Sequence, residues 1–389
     1  MKTTYLVSYN DGAFVEILGN DNYNYEVTFT DKKTNNIIHS GLIKCNEWIK
    51  TNKKYYTEWY ITIKKDGEVV HTDLFDCTNK KVKIYLPSVA LGDNIAWIPY
   101  CDEFRKKHNC NLTIVTNLTS LFSNSYPEIT FVKEDVDGFY STYNVHVGIK
   151  KDVHLEGIDR LNKYYKKNNS VKFIPNLTFF NPEYHPEHPM FIPWQKIASN
   201  ILGLEFKEIR PSFKGISDER PIKEKYICIS EFASSDGMKE WNNQVGWKNL
   251  ISSLKSLGYK IISISKEKTK LNDIIKRNGD YPLSDRMWYL KHCEFFIGLG
   301  SGLSWLSWAC GKKTVMIGGF SKEWCEFQQD NIRVINHDVC TGCWNSPEHA
   351  DKLCCYHATL CPENKNFECS RKISPKMVLE KIKENGLIK

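Results

Sequence analysis

Residues 1 to about 85 alternate apolar and polar side chains in short runs broken by Asn, Asp and Gly. Ala13-Phe-Val-Glu-Ile17, Tyr25-Glu-Val-Thr-Phe29, Glu58-Trp-Tyr-Ile-Thr-Ile63 and Lys81-Val-Lys-Ile-Tyr85 are the clearest. Period two puts the apolar residues on one face of a pleated strand, so this stretch predicts an antiparallel β-unit, a small barrel or sandwich. From about residue 82 the period changes. Val82 to Pro87 reads as a strand, Leu91 to Lys107 as a helix with Ile95, Ile98 and Phe104 on one side, and Leu112 to Val115 as the next strand. That β-α-β order implies a parallel sheet. A helix over Ile192 to Leu204 comes next, and the charged run from Pro211 to Lys225, with a second proline at Pro221, is the candidate interdomain linker.

A second α/β series is more regular. Strands are expected over Tyr226 to Ser230, Lys260 to Ile264, Phe295 to Ile297 and Thr314 to Ile317. Helices are expected over Gln244 to Leu257, stopped by Gly258, over Ser284 to His292 with Ser284 as N-cap, and over Leu303 to Cys310. The expected fold class is therefore α/β, with two open domains facing a cleft, a β-rich start and a cysteine-rich segment near the end. Ligands of such sheets bind at the carboxyl ends of the strands. The expected divisions are 1–83 for the β-rich domain, 84–212 for the first α/β domain, 213–336 for the second, 337–372 for a cysteine finger and 373–389 for a terminal helix.

At 389 residues the chain exceeds one compact core. Its 41% hydrophobic and 25% charged residues exclude disordered and fibrous classes. The aromatic share of 13% serves large mixed cores, or stacking on sugars and bases. The net charge of +7 is spread without a block of like charges, which suits an anionic small molecule as well as nucleic acid. The start carries no apolar run of signal-peptide length and no apolar segment is long enough to span a bilayer, so a cytoplasmic protein without membrane insertion is expected. In that compartment clustered thiols are metal ligands more often than disulfides, and the sequons at Asn111 and Asn176 are chance matches.

Three places carry chemistry. Six of the fourteen cysteines fall between positions 340 and 369: Cys340, Cys343, Cys354, Cys355, Cys361 and Cys369. Cys340-Thr-Gly-Cys343 can grip one ion from a single tight turn. The adjacent Cys354 and Cys355 point in different directions, so Cys361 and Cys369 are the better closing pair. Four thiolates describe a structural site, and the spacing does not separate iron from zinc. The second place is the turn Gly298-Leu-Gly-Ser-Gly-Leu-Ser304. It sets backbone N–H groups of Gly300, Ser301, Gly302 and Leu303 at a helix start, where a diphosphate is favoured, with the Ser301 and Ser304 hydroxyls as further donors. It matches neither Gly-x-Gly-x-x-Gly nor the Walker pattern, and a purely structural tight turn is the other reading; Trp305 beside it packs against a nucleotide or, the favoured reading, fills the helix–sheet interface. Lys239, in the loop after the strand at Tyr226, can reach a phosphate held there, or is a surface lysine. The third place is Gly92-Asp93, opening the first helix from the other side of the cleft. Asp93 is either a general base for an acceptor hydroxyl or a first-turn acid stabilising its helix, and the base role requires burial to raise a pKa that the helix end lowers.

Taken together, Leu91-Gly-Asp-Asn-Ile-Ala-Trp-Ile-Pro-Tyr100, Glu103-Phe-Arg-Lys-Lys-His108, Lys239-Glu-Trp-Asn242, Phe296-Ile-Gly-Leu-Gly-Ser-Gly-Leu-Ser-Trp305, Cys340-Thr-Gly-Cys-Trp-Asn345 and Phe367-Glu-Cys369 resemble the autotransporter heptosyltransferases, relatives of the lipopolysaccharide enzymes of glycosyltransferase family 9. The resemblance runs through nearly the whole chain. It implies a GT-B fold of two Rossmann-like domains and an inverting transfer of heptose from ADP-heptose to serine hydroxyls of an autotransporter adhesin. By the same resemblance Asp93 is the catalytic base, Lys239 and Gly300, Ser301, Gly302, Leu303 and Ser304 bind the donor, and Cys340, Cys343, Cys361 and Cys369 bind iron, zinc being the alternative. A homo-oligomer, such as a dodecameric ring, is implied too. In the lipopolysaccharide branch the turn carries an acidic residue and a histidine where this chain has Gly300 and Trp305, which points to the protein-modifying branch. The extra pair Cys354-Cys355 leaves the ligand set open. Competing readings are a transferase acting on lipopolysaccharide or another glycan, and a zinc-ribbon nucleic-acid-binding protein; the transferase reading has no nucleic-acid partner.

Overall fold

The computed structural model describes residues 2–150, 177–178, 180–233, 238–350 and 361–389. Cys354, Cys355, Asn176 and residues 234–237 lie outside them. The first part holds strands β1 (Thr4–Asn10), β2 (Phe14–Leu18), β3 (Tyr25–Asp31), β4 (Asn36–Ile43), β5 (Glu47–Lys50), β6 (Trp59–Lys65), β7 (Glu68–Leu74) and β8 (Lys81–Tyr85). Its other main elements are helix α1 (Leu91–His108), strands β9 (Asn111–Val115), β10 (Thr130–Val132) and β11 (Ser141–Asn144) and helix α2 (Trp194–Ile201).

The β-rich start is present, but it is not a unit separate from the first α/β region. β1 lies parallel to β11, pairing Tyr9 with Ser141 and Asn10 with Thr142. A seven-stranded sheet of order β10-β9-β8-β11-β1-β2-β5 results. The reason is physical: β11 would otherwise be an open edge with unpaired N–H and C=O groups, and β1 supplies the next ladder. The remaining strands form a four-stranded sheet of order β4-β3-β6-β7. There the period-two pattern does what it predicts, burying Tyr25, Val27, Phe29, Trp59, Ile61 and Ile63 on one face.

The second part contains β12 (Tyr226–Ile229), α3 (Gly246–Ser256), β13 (Lys260–Ser263), β14 (Ile275–Lys276), α4 (Leu283–His292), β15 (Phe296–Leu299), α5 (Gly302–Ala309), β16 (Thr314–Ile317), β17 (Asn331–Val334) and α6 (Pro375–Glu384). Its six strands run in the order β14-β13-β12-β15-β16-β17 with every pairing parallel. β12, β15 and β16 are buried at all four positions, as a sheet covered by helices on both faces requires. α4 begins one residue before the expected cap. Pro282 precedes it, the fixed φ of proline leads the chain into the helix, and Ser284 lies inside the first turn. Among the described residues no helix is long and apolar enough to cross a membrane.

Candidate active site

A cavity of about 750 Å³ opens between the two α/β parts. The first part lines it with Ser88, Gly92, Asp93 and Trp194; the second lines it with Lys239, the turn from Gly300 to Leu303, and Trp305. The N-terminal tips of α1 and α5 meet at its floor. A Cβ added to Gly302 would stand 2.8 Å from the Leu91 Cβ and 3.1 Å from the Gly92 backbone nitrogen. One added to Gly92 would stand 3.0 Å from a ring carbon of Trp305. Gly302 leaves no room for a side chain beside the start of α1, Gly92 leaves little beside the Trp305 ring, and this contact brings the site's two halves together.

Asp93 is the third residue of α1, yet it does not cap its helix. The N-cap is Ala90, without a side-chain capping bond. Instead the Asp93 Oδ2 accepts a hydrogen bond from the Ser88 hydroxyl at 2.5 Å, and its Oδ1 accepts one from Trp194 Nε1 at 3.1 Å. Burial raises its pKa above the ordinary aspartate value; the Ser88 hydroxyl, the Lys239 charge and the Trp194 N–H pull the other way and do not cancel the rise. The carboxylate is thus oriented by two donors, opens on the cavity, and is a stronger base than a solvated aspartate. The burial that the base role requires is present.

Across the cavity, β15 runs into α5 through the glycine turn. Ser301 is the N-cap in extended conformation and makes no capping bond with its side chain. Its hydroxyl oxygen is buried without a hydrogen-bond partner. The first amides of α5 have no intrahelical acceptor, so this tip presents unspent donors and the positive end of the helix dipole to the cavity. Lys239 lines the same cavity and acts electrostatically on Asp93. Ser304 is placed differently from the donor-binding role expected of it. Its hydroxyl donates to the Leu299 carbonyl at 2.5 Å and its amide to the Ser301 carbonyl at 3.1 Å, so both donors close the turn, and it does not line the cavity. Trp305 is 4% exposed, edge-on to Trp308 and Phe327, in the packing role expected of it, with one side on the cavity.

Sequence reasoning did not single out Ser88, Trp194 or Glu326. Trp194 comes from 101 residues beyond Asp93, and no local pattern announces the pairing. Ser88 sits five residues before Asp93 in the β8–α1 turn, a spacing that could have flagged it. Glu326 lies in an irregular stretch. It lines the cavity, pairs with Arg333 at 3.1 Å and accepts from the Ser321 hydroxyl at 2.8 Å.

The cysteine segment folds against this second part. Gly342, at φ 75°, makes the left-handed turn that lets Cys340 and Cys343 sit on one knuckle. Cys343 and Cys369 are buried, Cys340 and Cys361 half-buried. Burial first, then the neighbouring thiols Cys369, Cys340 and Cys361, pushes Cys343 up to about 12. Burial, then Cys340 and Cys361, pushes Cys369 up to about 11. The four sulfurs therefore lie within electrostatic reach of one another in a poorly hydrated place, but among the described residues they do not come together as a group within 4.8 Å of one another. Nearby, Glu348, His349 and Glu363 bring ligand atoms within 4.8 Å of one another. The His349 Nε2 to Glu363 Oε1 distance of 2.5 Å is a hydrogen bond, shorter than the separation of about 3.3 Å between two ligands that tetrahedral bonds of about 2.0–2.1 Å enforce.

No family model matches the chain. Among characterised proteins, the autotransporter heptosyltransferase Aah of Escherichia coli is 31% identical over 379 residues, covering 91% of this chain and 87% of Aah. The autotransporter heptosyltransferase TibC of E. coli O78:H11 is 30% identical, covering 98% of this chain and 88% of TibC. A crystal structure of dodecameric iron-containing TibC in complex with ADP-D-β-D-heptose superimposes with a TM-score of 0.82 at 28% identity, over 98% of this chain and 96% of that one. BimC of Burkholderia thailandensis, an inactive autotransporter heptosyltransferase, is 26% identical over 96% of this chain and 84% of its own. With its mixed α/β fold and its cleft built from both halves, this chain belongs to the autotransporter heptosyltransferases, a family of glycosyltransferases.

Proposed function

We propose that this protein is a GT-B glycosyltransferase that moves heptose from ADP-heptose to a serine hydroxyl of an autotransporter passenger, with inversion at the anomeric carbon. The observation that carries the reading is the meeting of Asp93, Lys239 and the Ser301 tip of α5 in one cavity. The donor's diphosphate rests on the Gly300 to Leu303 turn and Lys239, which stabilise the negative charge that grows as the bond from the anomeric carbon to the diphosphate oxygen breaks. The serine oxygen attacks the opposite face of that carbon, its proton passes to Asp93, and ADP leaves. Ser88 and Trp194 hold the carboxylate on line, and closure of the cleft around the two substrates would keep water away.

Cys340, Cys343, Cys361 and Cys369 would hold one iron, with zinc as the alternative. The ion supplies a cross-link rather than chemistry, because four thiolates leave no open coordination position. The TibC structure being dodecameric supports a homo-oligomer, and the acceptor's route implies action in the cytoplasm before export. The test is co-expression with an autotransporter passenger followed by intact mass. Discrete heptose additions with the wild-type chain, absent with Asp93→Asn, are expected. Because a member of this family is inactive, an unmodified passenger alongside tight ADP binding would leave the donor site standing and refute the transfer.

A further inference from the structure

We infer that Glu326 is a specificity-determining residue whose carboxylate accepts hydroxyl groups of the donor's sugar beside the diphosphate turn. The inference rests on the reading of the cavity as an ADP-sugar site. Glu326 lines that cavity, and its Oε1 stands 3.3 Å from where a Cβ of Gly300 would project. The absence of a side chain at Gly300 thus leaves the space beside this oxygen open, in the turn that receives the phosphates. Lys239 is close by: it and Glu326 both act electrostatically on the buried thiol of Cys325.

A bare carboxylate beside a diphosphate would repel it, and here the charge is offset. The Glu326 Oε2 is paired with Arg333 Nη1 at 3.1 Å, with side chains 11% and 7% exposed. Oε1 accepts one hydrogen bond, from Ser321 at 2.8 Å, and a carboxylate oxygen can accept more than one. A neutralised carboxylate that retains acceptor capacity suits the hydroxyls of a polyol and is poorly matched to phosphate, which offers acceptors alone. Bracing does not explain it, because Arg333 holds the neighbouring loop directly through Nη2, donating to the carbonyls of Gly318 at 3.2 Å and Ser321 at 3.1 Å.

The experiment compares ADP and ADP-heptose binding by calorimetry for the full-length wild type, Glu326→Gln and Gly300→Ala. The amide keeps the size of Glu326 while removing the charged acceptor. ADP affinity is expected to stay within about twofold, and the extra affinity for ADP-heptose to fall about tenfold or more, the worth of a hydrogen bond to a charged group. Gly300→Ala crowds the same oxygen from the turn and is expected to weaken ADP-heptose more than ADP. It carries the test alone should Glu326→Gln melt early. Equal losses for both ligands would make Glu326 a structural support, and no loss for either would remove it from the site; each result overturns the inference. Failure of the wild type to bind ADP would overturn the donor-site reading itself.

Discussion

Gly302→Ala is the sharpest probe of the contact between the two halves. The new methyl would lie 2.8 Å from the Leu91 Cβ and 3.1 Å from the Gly92 nitrogen. Carbon atoms rest at about 3.5–4.0 Å, so the tips of α1 and α5 must part by about 1 Å. Both obstacles lie on or beside the backbone, and no side-chain rotation relieves them. Overpacking of this kind costs about 1–3 kcal/mol, while replacing glycine in a helix returns at most about 1 kcal/mol, leaving a net loss of about 0–2 kcal/mol when that return is realised in full. The effect on catalysis is larger. Asp93 and the phosphate turn sit on the two tips, and a displacement of about 1 Å costs about 100-fold in rate when it spoils alignment. The assay is kcat for passenger modification, with ADP affinity and Tm measured on the same protein. Gly92→Ala, which meets the Trp305 ring at 3.0 Å, is expected to be milder because part of that obstacle is a side chain. A Gly302→Ala enzyme with wild-type kcat and Tm would refute the claim that this contact sets the distance between base and donor.

Asp93→Asn is expected to lower transfer about 10²- to 10⁴-fold while ADP affinity holds. Its folded pKa is raised, so the native state binds more protons than the unfolded chain in the window just above the ordinary aspartate value, and stability falls as pH rises through it. The neutral amide escapes that loss, and its Tm at pH 7 should equal or exceed the wild type's; a clear drop would contradict the burial argument. Cys343→Ser is expected to abolish bound metal in elemental analysis and lower Tm by several degrees, whereas metal retained at one ion per chain would exclude Cys343 as a ligand.

The second sheet was legible almost strand for strand because its four central strands are short apolar runs bounded by glycine, proline or charge, and a parallel sheet leaves that signature. The first sheet was less so. Nothing in Thr4–Asn10 records that its partner is Ser141–Asn144, since alternation specifies a half-buried strand and not the edge it joins. The candidate site divides the same way. Gly92-Asp93 and the glycine turn stand out because helix starts and tight turns are local. Trp194, Ser321 and Glu326 reach the cavity from unpatterned stretches or by tertiary contact, and Arg333 joins them only through Glu326, which no short-range regularity encodes. Ser304 illustrates a related point: a hydroxyl at a helix start serves its own turn as readily as a ligand, and here it donates to the Leu299 carbonyl.

The electrostatics of Asp93 make one further demand. A helix N-terminus favours a nearby carboxylate by about 0.3–1 kcal/mol, less than one pKa unit, whereas burial moves carboxylates by several units, and here burial prevails. Among the interactions still holding the value down is the Lys239 charge. When a diphosphate binds beside Lys239 it pairs with that ammonium and brings negative charge of its own, and both changes disfavour the ionised carboxylate. Donor binding should therefore raise the Asp93 pKa further, making it a better proton acceptor only once there is something to transfer. The measurement is a pair of pH profiles. The acid limb of kcat/KM for the donor reports the empty enzyme and that of kcat the loaded one, and the second should lie at higher pH. Coincident limbs, or the reverse order, would mean that Lys239 and the diphosphate lie too far from Asp93 to tune it, and the base would have to draw its strength from burial alone.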